Sequence, residues 1–229
     1  MDISAELADL TALSDPQKAA EMAAYHKAAR TYLGIPNPVI DDLADRWRGE
    51  RGLEDRIALA ASLWQTNIHE ARIAAAKLLT QARIRPDQAA WALIQSWVPD
   101  FDAWAIADHA SIAGQKRLVA EPSRIDTVEA WVTSPHIWTR RAALVITLPW
   151  TKQNFPKSQD LLIRARVLSW CETLADDRDW FIQKAVAWWL RDLSKHDPAA
   201  TRAFLDQHGA RLKPWARTEA ARHLSEAAP

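Results

Sequence analysis

In the stretch "FDAWAIADHASIAG", Phe101 to Gly114, Trp104 and Asp108 stand four residues apart. On a helix this spacing puts an indole one turn from a carboxylate on the same face. Both groups favour positive charge, the indole through its electron-rich ring face and the carboxylate through its full negative charge. The same spacing also suits a core tryptophan beside a solvated or capping aspartate, so the pair alone leaves both readings open. A second stretch, "DWFIQKAVAWWLRD" from Asp179 to Asp192, sets Trp188 and Trp189 side by side. Neighbouring helical residues point about 100° apart. Ile182, Ala185, Val186, Trp189 and Leu193 fall at i, i+3, i+4, i+7 and i+11, the apolar stripe of an amphipathic helix, so Trp189 belongs in the core. Trp188 falls instead with Trp180, Lys184 and Arg191. That alternation of ring and cation suits a polyanion with apolar sugar faces.

Other chemistries lack their residues. The seven histidines form no HExxH, and no histidine pairs with cysteines, so zinc hydrolysis and zinc deamination have no ligand set. "GERG" at Gly49 to Gly52 is neither a phosphate-binding loop nor a dinucleotide fingerprint. Lys184 could be read as a Schiff-base nucleophile, but an exposed helix lysine more commonly contacts phosphate or water. The reading is of a site with no cofactor and no metal.

These side chains need helices to position them. Asp15 and Pro16 make an N-cap and first-turn pair, the pattern runs helically to Leu33, and Gly34 with Pro36 supplies a stop. Further helices are expected near 38–48, 53–65, 67–83, 87–97, 101–116, 123–133, 136–148, 157–174, 178–195, 198–208 and 213–225, separated by short turns with Pro, Asp, Asn or Gly. No linker divides them, so residues 1–229 are read as a single domain. Three segments share a pattern: "NIHEARIAAAKLL" from Asn67, "PHIWTRRAALVIT" from Pro135 and "RDWFIQKAVAWWL" from Arg178. Aligned, they superpose Ala74, Ala142 and Ala185; the last two are 43 residues apart, a HEAT-like repeat length, and the first two 68. In this register Arg141 takes the Lys184 position and Lys77 the Trp188 position, which would make the same face of neighbouring repeats basic. Repeated helix pairs stack into a curved solenoid with a concave surface.

Composition agrees with an all-α class. Of 229 residues, 48% are hydrophobic and 25% charged, with only five glycines and two tyrosines, a mixture that favours helix over strand. One cysteine, Cys171, excludes an internal disulfide and fits a reducing compartment. The N-terminus is acidic, no run approaches the length of a membrane span, and a cytoplasmic protein is expected. The formal net charge is zero, which removes the global field of a nucleic-acid binder. Its distribution is uneven, with net −4 over residues 1–60 and +3 over 181–229. Ordinary solvated helix faces account for that as readily as a local basic groove does.

Together, "DPQKAAEMAAYHKAARTYLGIPNP", "AWAIADH", "IWTRRAAL" and "FIQKAVAWWLR" with the downstream "ARTEAARHL" resemble the AlkD-type family of HEAT-repeat DNA glycosylases, from about Asp15 to Leu224. The resemblance implies a right-handed α-solenoid with a concave DNA-binding groove, acting as a monomer on duplex DNA that carries alkylated bases. It implies catalytic roles for Trp104, Asp108 and Trp188, and a phosphate contact at Arg141 of the "RRAA" helix. The DNA contacts expected beside it are Arg140, Lys184, Arg191, Lys77, Trp180 and Tyr25. Tyr25 matches a family tyrosine, though half-buried packing would suit a helical tyrosine equally. Where the family often adds a second aromatic and a second acid around Trp104, this chain has Ala103 and Ala105, a departure that bears on substrate preference. The activity implied is hydrolysis of the N-glycosidic bond of cationic alkylpurines, without a lyase step. A non-catalytic HEAT-repeat module for DNA or protein is the competing reading, because fold alone does not fix function.

Overall fold

The computed structural model describes residues 1–224. The chain forms two compact units, Met1–Ala120 and Glu121–Pro229. The first holds α1 (Ser4–Ala12), α2 (Pro16–His26), α3 (Asn37–Gly49), α4 (Leu53–Gln65), α5 (His69–Leu78), α6 (Gln88–Trp97) and α7 (Trp104–Ala120). The second holds α8 (Ile125–Glu129), α9 (Ile137–Val145), α10 (Ser158–Leu174), α11 (Trp180–Ser194), α12 (Pro198–His208) and α13 (Pro214–Ala220), with short 3-10 turns between several of them. No strand occurs among the described residues, and the fold class is all-α. None of the described helices is long and apolar enough to cross a membrane.

Each unit is built around one nearly enclosed helix. In the first, α5 packs against α3, α4 and α7, and its run of small residues, Ala71, Ala74, Ala75 and Ala76, lets those neighbours approach closely. In the second, α11 packs against α9, α12 and α13. The aligned helices begin in step, because His69, Ile137 and Trp180 each precede the shared alanine by five residues, and Ala74, Ala142 and Ala185 are all buried. Tryptophan supplies much of the core: Trp64 stacks on Trp97 at 4.3 Å and 7°, and several buried indoles satisfy their N–H on a carboxylate. Trp47 donates to Asp9 at 3.0 Å, Trp64 to Asp100 at 3.0 Å and Trp170 to Glu129 at 2.9 Å. Such pairing avoids the cost of about 1–3 kcal/mol for burying a donor unsatisfied.

Helix starts follow the sequence signals. Asp15 caps α2 by accepting from the N–H groups of Gln17 and Lys18, Asp179 caps α11 on Phe181, and Asp197 caps α12 on Ala200. Several ends differ from expectation. The helix expected to reach Leu33 stops at His26, where Lys27 turns left-handed with φ of 58°. The 67–83 helix stops at Leu78, and 123–133 contracts to Ile125–Glu129 behind a 3-10 turn. The 136–148 helix closes at Val145, followed by a 3-10 turn from Leu148. The 101–116 helix begins three residues later and runs on to Ala120. The helix expected at 213–225 covers Pro214–Ala220, and Ser225 lies outside the described residues. An unanticipated helix, α1, places Leu10 in the core.

Candidate functional site

In the first unit, Trp104 opens α7 and Asp108 follows one turn later, only 8% exposed. Tyr25, at the end of α2, is 70% exposed and meets the Trp104 ring edge-on at 6.3 Å and 90°. Half-buried packing is therefore not its role. His26 lies 5.5 Å from the same indole, and behind it His69 and Tyr32 continue the cluster at 4.6 Å and 6.0 Å from His26. Burial, with Arg30 beside it, lowers the His26 pKa, and His69 is pushed down to about 3 for the same reasons. Both imidazoles stay neutral at ordinary pH, so they put no positive charge behind Trp104. Ala103 and Ala105 are buried.

What brings Tyr25 to Trp104 is the irregular segment after α2. The Glu70 side chain, fully buried on α5, accepts from the backbone N–H groups of Leu33 at 2.9 Å, Gly34 at 2.8 Å and Ile35 at 3.4 Å. The His69 N–H donates to Thr31 O at 2.9 Å. Arg30 forms an ion pair with Asp102, two residues before Trp104. Gly34 is required at its position: its φ is +80°, and a Cβ there would come within 2.3 Å of Asp15 O. Sequence reading missed Glu70, Arg30, Asp102 and His26. Nothing in local spacing marks them: the partners of Glu70, Arg30 and Asp102 are 35 to 72 residues away, and His26 meets His69 and Trp104 only through the fold.

Lys77 stands elsewhere in this unit, ion-paired with Asp41 and largely buried, beside His109 in a cavity of about 390 Å³. Burial, with Lys77 nearby, pushes the His109 imidazole down to about 4.

In the second unit, α9, α11 and α13 present their N-terminal ends together. Arg141, only 3% exposed, donates from Nη1 to Phe181 O at 3.0 Å. Arg140 is bound to Asp177 at 3.0 Å and to the Ser134 and Pro135 carbonyls at 2.8 and 3.0 Å. Gln183 donates to Ala175 O and Asp177 O and accepts from the Lys213 N–H at 2.8 Å, joining the loop before α11 to the start of α13. Trp189 is 0% exposed, as its register requires. Trp188 is half-buried and donates its indole N–H to Asp192 at 3.2 Å.

The basic stripe is only partly as expected. Arg191 is held by Asp192 at 3.2 Å and Glu219 at 2.5 Å, so its charge is already met by two carboxylates. Lys184 is exposed and lies 4.5 Å over the Trp180 ring, a cation–π contact, and it has no carboxylate partner among the described residues. Of the cations named from sequence, Lys77, Arg140 and Arg191 are thus spent within the fold, and Lys184 is the one presented to solvent.

An all-α chain in which α5, α9 and α11 repeat one helix pattern falls in the class of helical-repeat proteins. The model of the DNA alkylation repair enzyme family matches residues 7–224, and the chain belongs to that family. Among solved structures it is similar to a "Predicted DNA alkylation repair enzyme from Enterococcus faecalis", at 25% identity and a TM-score of 0.76, over 93% of this chain and 98% of that one. It is also similar in fold to AlkD2 from Streptococcus mutans, at 18% identity and a TM-score of 0.62, over 92% of this chain and 99% of the other. No curated protein matches it.

Proposed function

We propose that this chain is a monofunctional DNA glycosylase that hydrolyses the N-glycosidic bond of cationic alkylated purines in duplex DNA and leaves an abasic site. It would act as a cytoplasmic monomer, with residues 1–229 working as one domain. The observation that carries the reading is the Tyr25–Trp104 aromatic edge with Asp108 one turn along α7. Membership of the repair family supports it.

An N3- or N7-alkylated purine already carries positive charge, so it departs without protonation and one carboxylate can serve where ordinary glycosidases use two. As the C1′–N bond breaks, the electron pair goes to the base, which leaves neutral. Positive charge develops on the sugar, where Asp108 stabilises it. A water then bonds to C1′ and loses its proton to solvent. Trp104 offers a ring face to the cationic nucleotide, a contact worth about 0.5–2 kcal/mol, and Trp188 is proposed as a further ring contact to the DNA. Tyr25 braces Trp104. Lys184 contacts the DNA backbone with Trp180 beside it; Arg141, Arg140, Arg191 and Lys77, the other expected DNA contacts, would add less, since Arg140, Arg191 and Lys77 are already paired with carboxylates. The chemistry calls for no metal, no cofactor and no lysine adduct.

The test is release of free base from methylated duplex DNA. Asp108→Asn keeps size and removes charge, so excision should fall roughly 10²- to 10³-fold, by analogy with loss of one oxyanion donor. Wild-type rates in a folded Asp108→Asn variant would remove the carboxylate from the mechanism, and no base release by the wild-type protein would refute the reading and leave a DNA-binding module.

A further inference from the structure

The second position of α9, α11 and α13 is in each case aromatic: Trp138, Phe181 and Trp215. These rings touch across the helices. Trp138 lies 4.7 Å from Phe181, Phe181 lies 5.0 Å from Trp180, and Trp180 lies 5.8 Å from Trp215 at 34°. The result is a continuous ladder of four rings over three helix starts, held in register by Gln183 and Arg141. The ladder leaves the core as it proceeds. Trp138 and Phe181 are half-buried, whereas Trp180 is 47% and Trp215 37% exposed.

Two neighbouring exposed tryptophans mark a contact surface, and the charge beside them indicates what it contacts. Lys184 lies over Trp180, and Lys213 stands at the N-cap of α13, two residues before Trp215. Neither has a carboxylate partner among the described residues. The nearby acids are occupied: Asp177 by Arg140, Asp176 by Arg211, and Asp179 by capping α11. A surface of exposed indoles with a cation lying over one of them fits a ligand that is planar, apolar on its faces and anionic along its backbone. Aromatic platforms lined with cations bind unstacked nucleobases in this way.

We propose that the Trp138–Phe181–Trp180–Trp215 ladder is a stacking platform for unstacked nucleobases, so that this unit engages single-stranded or locally opened DNA. The proposal deepens the DNA-repair reading and rests on it for the choice of nucleic acid. It adds Trp215, which neither the family match nor the repeat pattern singles out, and it gives the ladder a ligand distinct from the alkylated base.

The experiment uses the full chain with oligothymidylate as probe, followed by quenching of tryptophan fluorescence, in parallel with intact duplex and with base release from methylated duplex. Trp215→Ala should weaken oligothymidylate binding roughly ten- to a hundred-fold, the loss expected for one base–aromatic stack. Trp215→Phe should retain most of the affinity, since a ring face remains. Base release by Trp215→Ala on methylated intact duplex should stay near wild type. If that activity is absent in the wild type while oligothymidylate binding still depends on Trp215, the glycosylase reading fails and the platform stands. Equal losses on single strand and duplex would overturn the platform, as would unchanged oligothymidylate binding in a variant whose melting curve shows it folded. Unchanged binding would leave the ladder to a protein partner.

Discussion

Trp188 and Trp189 are adjacent in the chain and opposite in duty, and replacing each in turn separates packing from function. Trp189 is wholly buried among the α11 stripe, and its indole N–H has no hydrogen-bond partner among the described residues. Trp189→Ala should leave a cavity and cost about 3–5 kcal/mol. At roughly 2–4 °C per kcal/mol for a chain of this size, the melting temperature would drop by roughly 6–20 °C. Trp189→Phe should cost far less, because it also deletes a buried unpaired donor whose penalty is about 1–3 kcal/mol, offsetting much of the lost ring volume. Trp188 is half-buried, so truncation forfeits about half the apolar area of an indole plus one hydrogen bond to Asp192, together about 1–3 kcal/mol. Asp192 keeps Arg191 as a partner, which limits the damage. The main deficit of Trp188→Ala should appear in single-turnover base excision. Thermal melts and excision on the three variants decide the matter. A Trp188→Ala protein that melts below Trp189→Ala, or a Trp189→Phe protein as unstable as Trp189→Ala, would refute the assignment of faces and the role given to the unpaired N–H.

The remaining tests probe the supports of the site. Glu70→Ala strands three backbone N–H groups, at about 1–3 kcal/mol for each that stays buried, so it should lower stability and loosen Tyr25 from Trp104; a stable, fully active variant would show that the 31–35 segment holds itself. His69 and His109 have folded pKa values lowered to about 3 and about 4, so below pH 6.5 the unfolded chain binds protons that the folded chain refuses. Stability is therefore fully present above pH 6.5 and falls on acidification, by about 1.4 kcal/mol per pH unit for each histidine once well below its unfolded pKa. Urea melts between pH 7 and 5 should record the decline, and a flat profile would contradict it. Lys184→Ala should reduce the salt dependence of DNA binding by about one unit of log–log slope, whereas Lys77→Ala, whose charge Asp41 already meets, should change it less; equal effects would show that the Lys77–Asp41 pair opens to DNA.

Helix periodicity is a local property, and what depends on it was legible in the sequence. The all-α class, the common start of α5, α9 and α11 ahead of Ala74, Ala142 and Ala185, and the burial of Trp189 all follow from spacing within one helix. So did the cap at Asp15, whose partners lie two and three residues away. Tertiary structure decided the rest, because it depends on groups far apart in the chain. The sequence from Pro16 to Leu33 has a helical pattern throughout, yet α2 ends at His26, because Glu70 draws the 33–35 backbone to itself and Asp102 pairs with Arg30. Those distant hydrogen bonds outweigh the few tenths of a kcal/mol per residue that helix propensity offers. The same holds for charge. Spacing put Trp180, Lys184, Trp188 and Arg191 on related faces, but only packing brought Glu219 from α13 to Arg191 and Asp41 from α3 to Lys77, which left Lys184 as the exposed cation. The ring ladder is the clearest case. Trp138, Phe181 and Trp215 are 43 and 34 residues apart, and they become one surface only when three helix starts are set side by side.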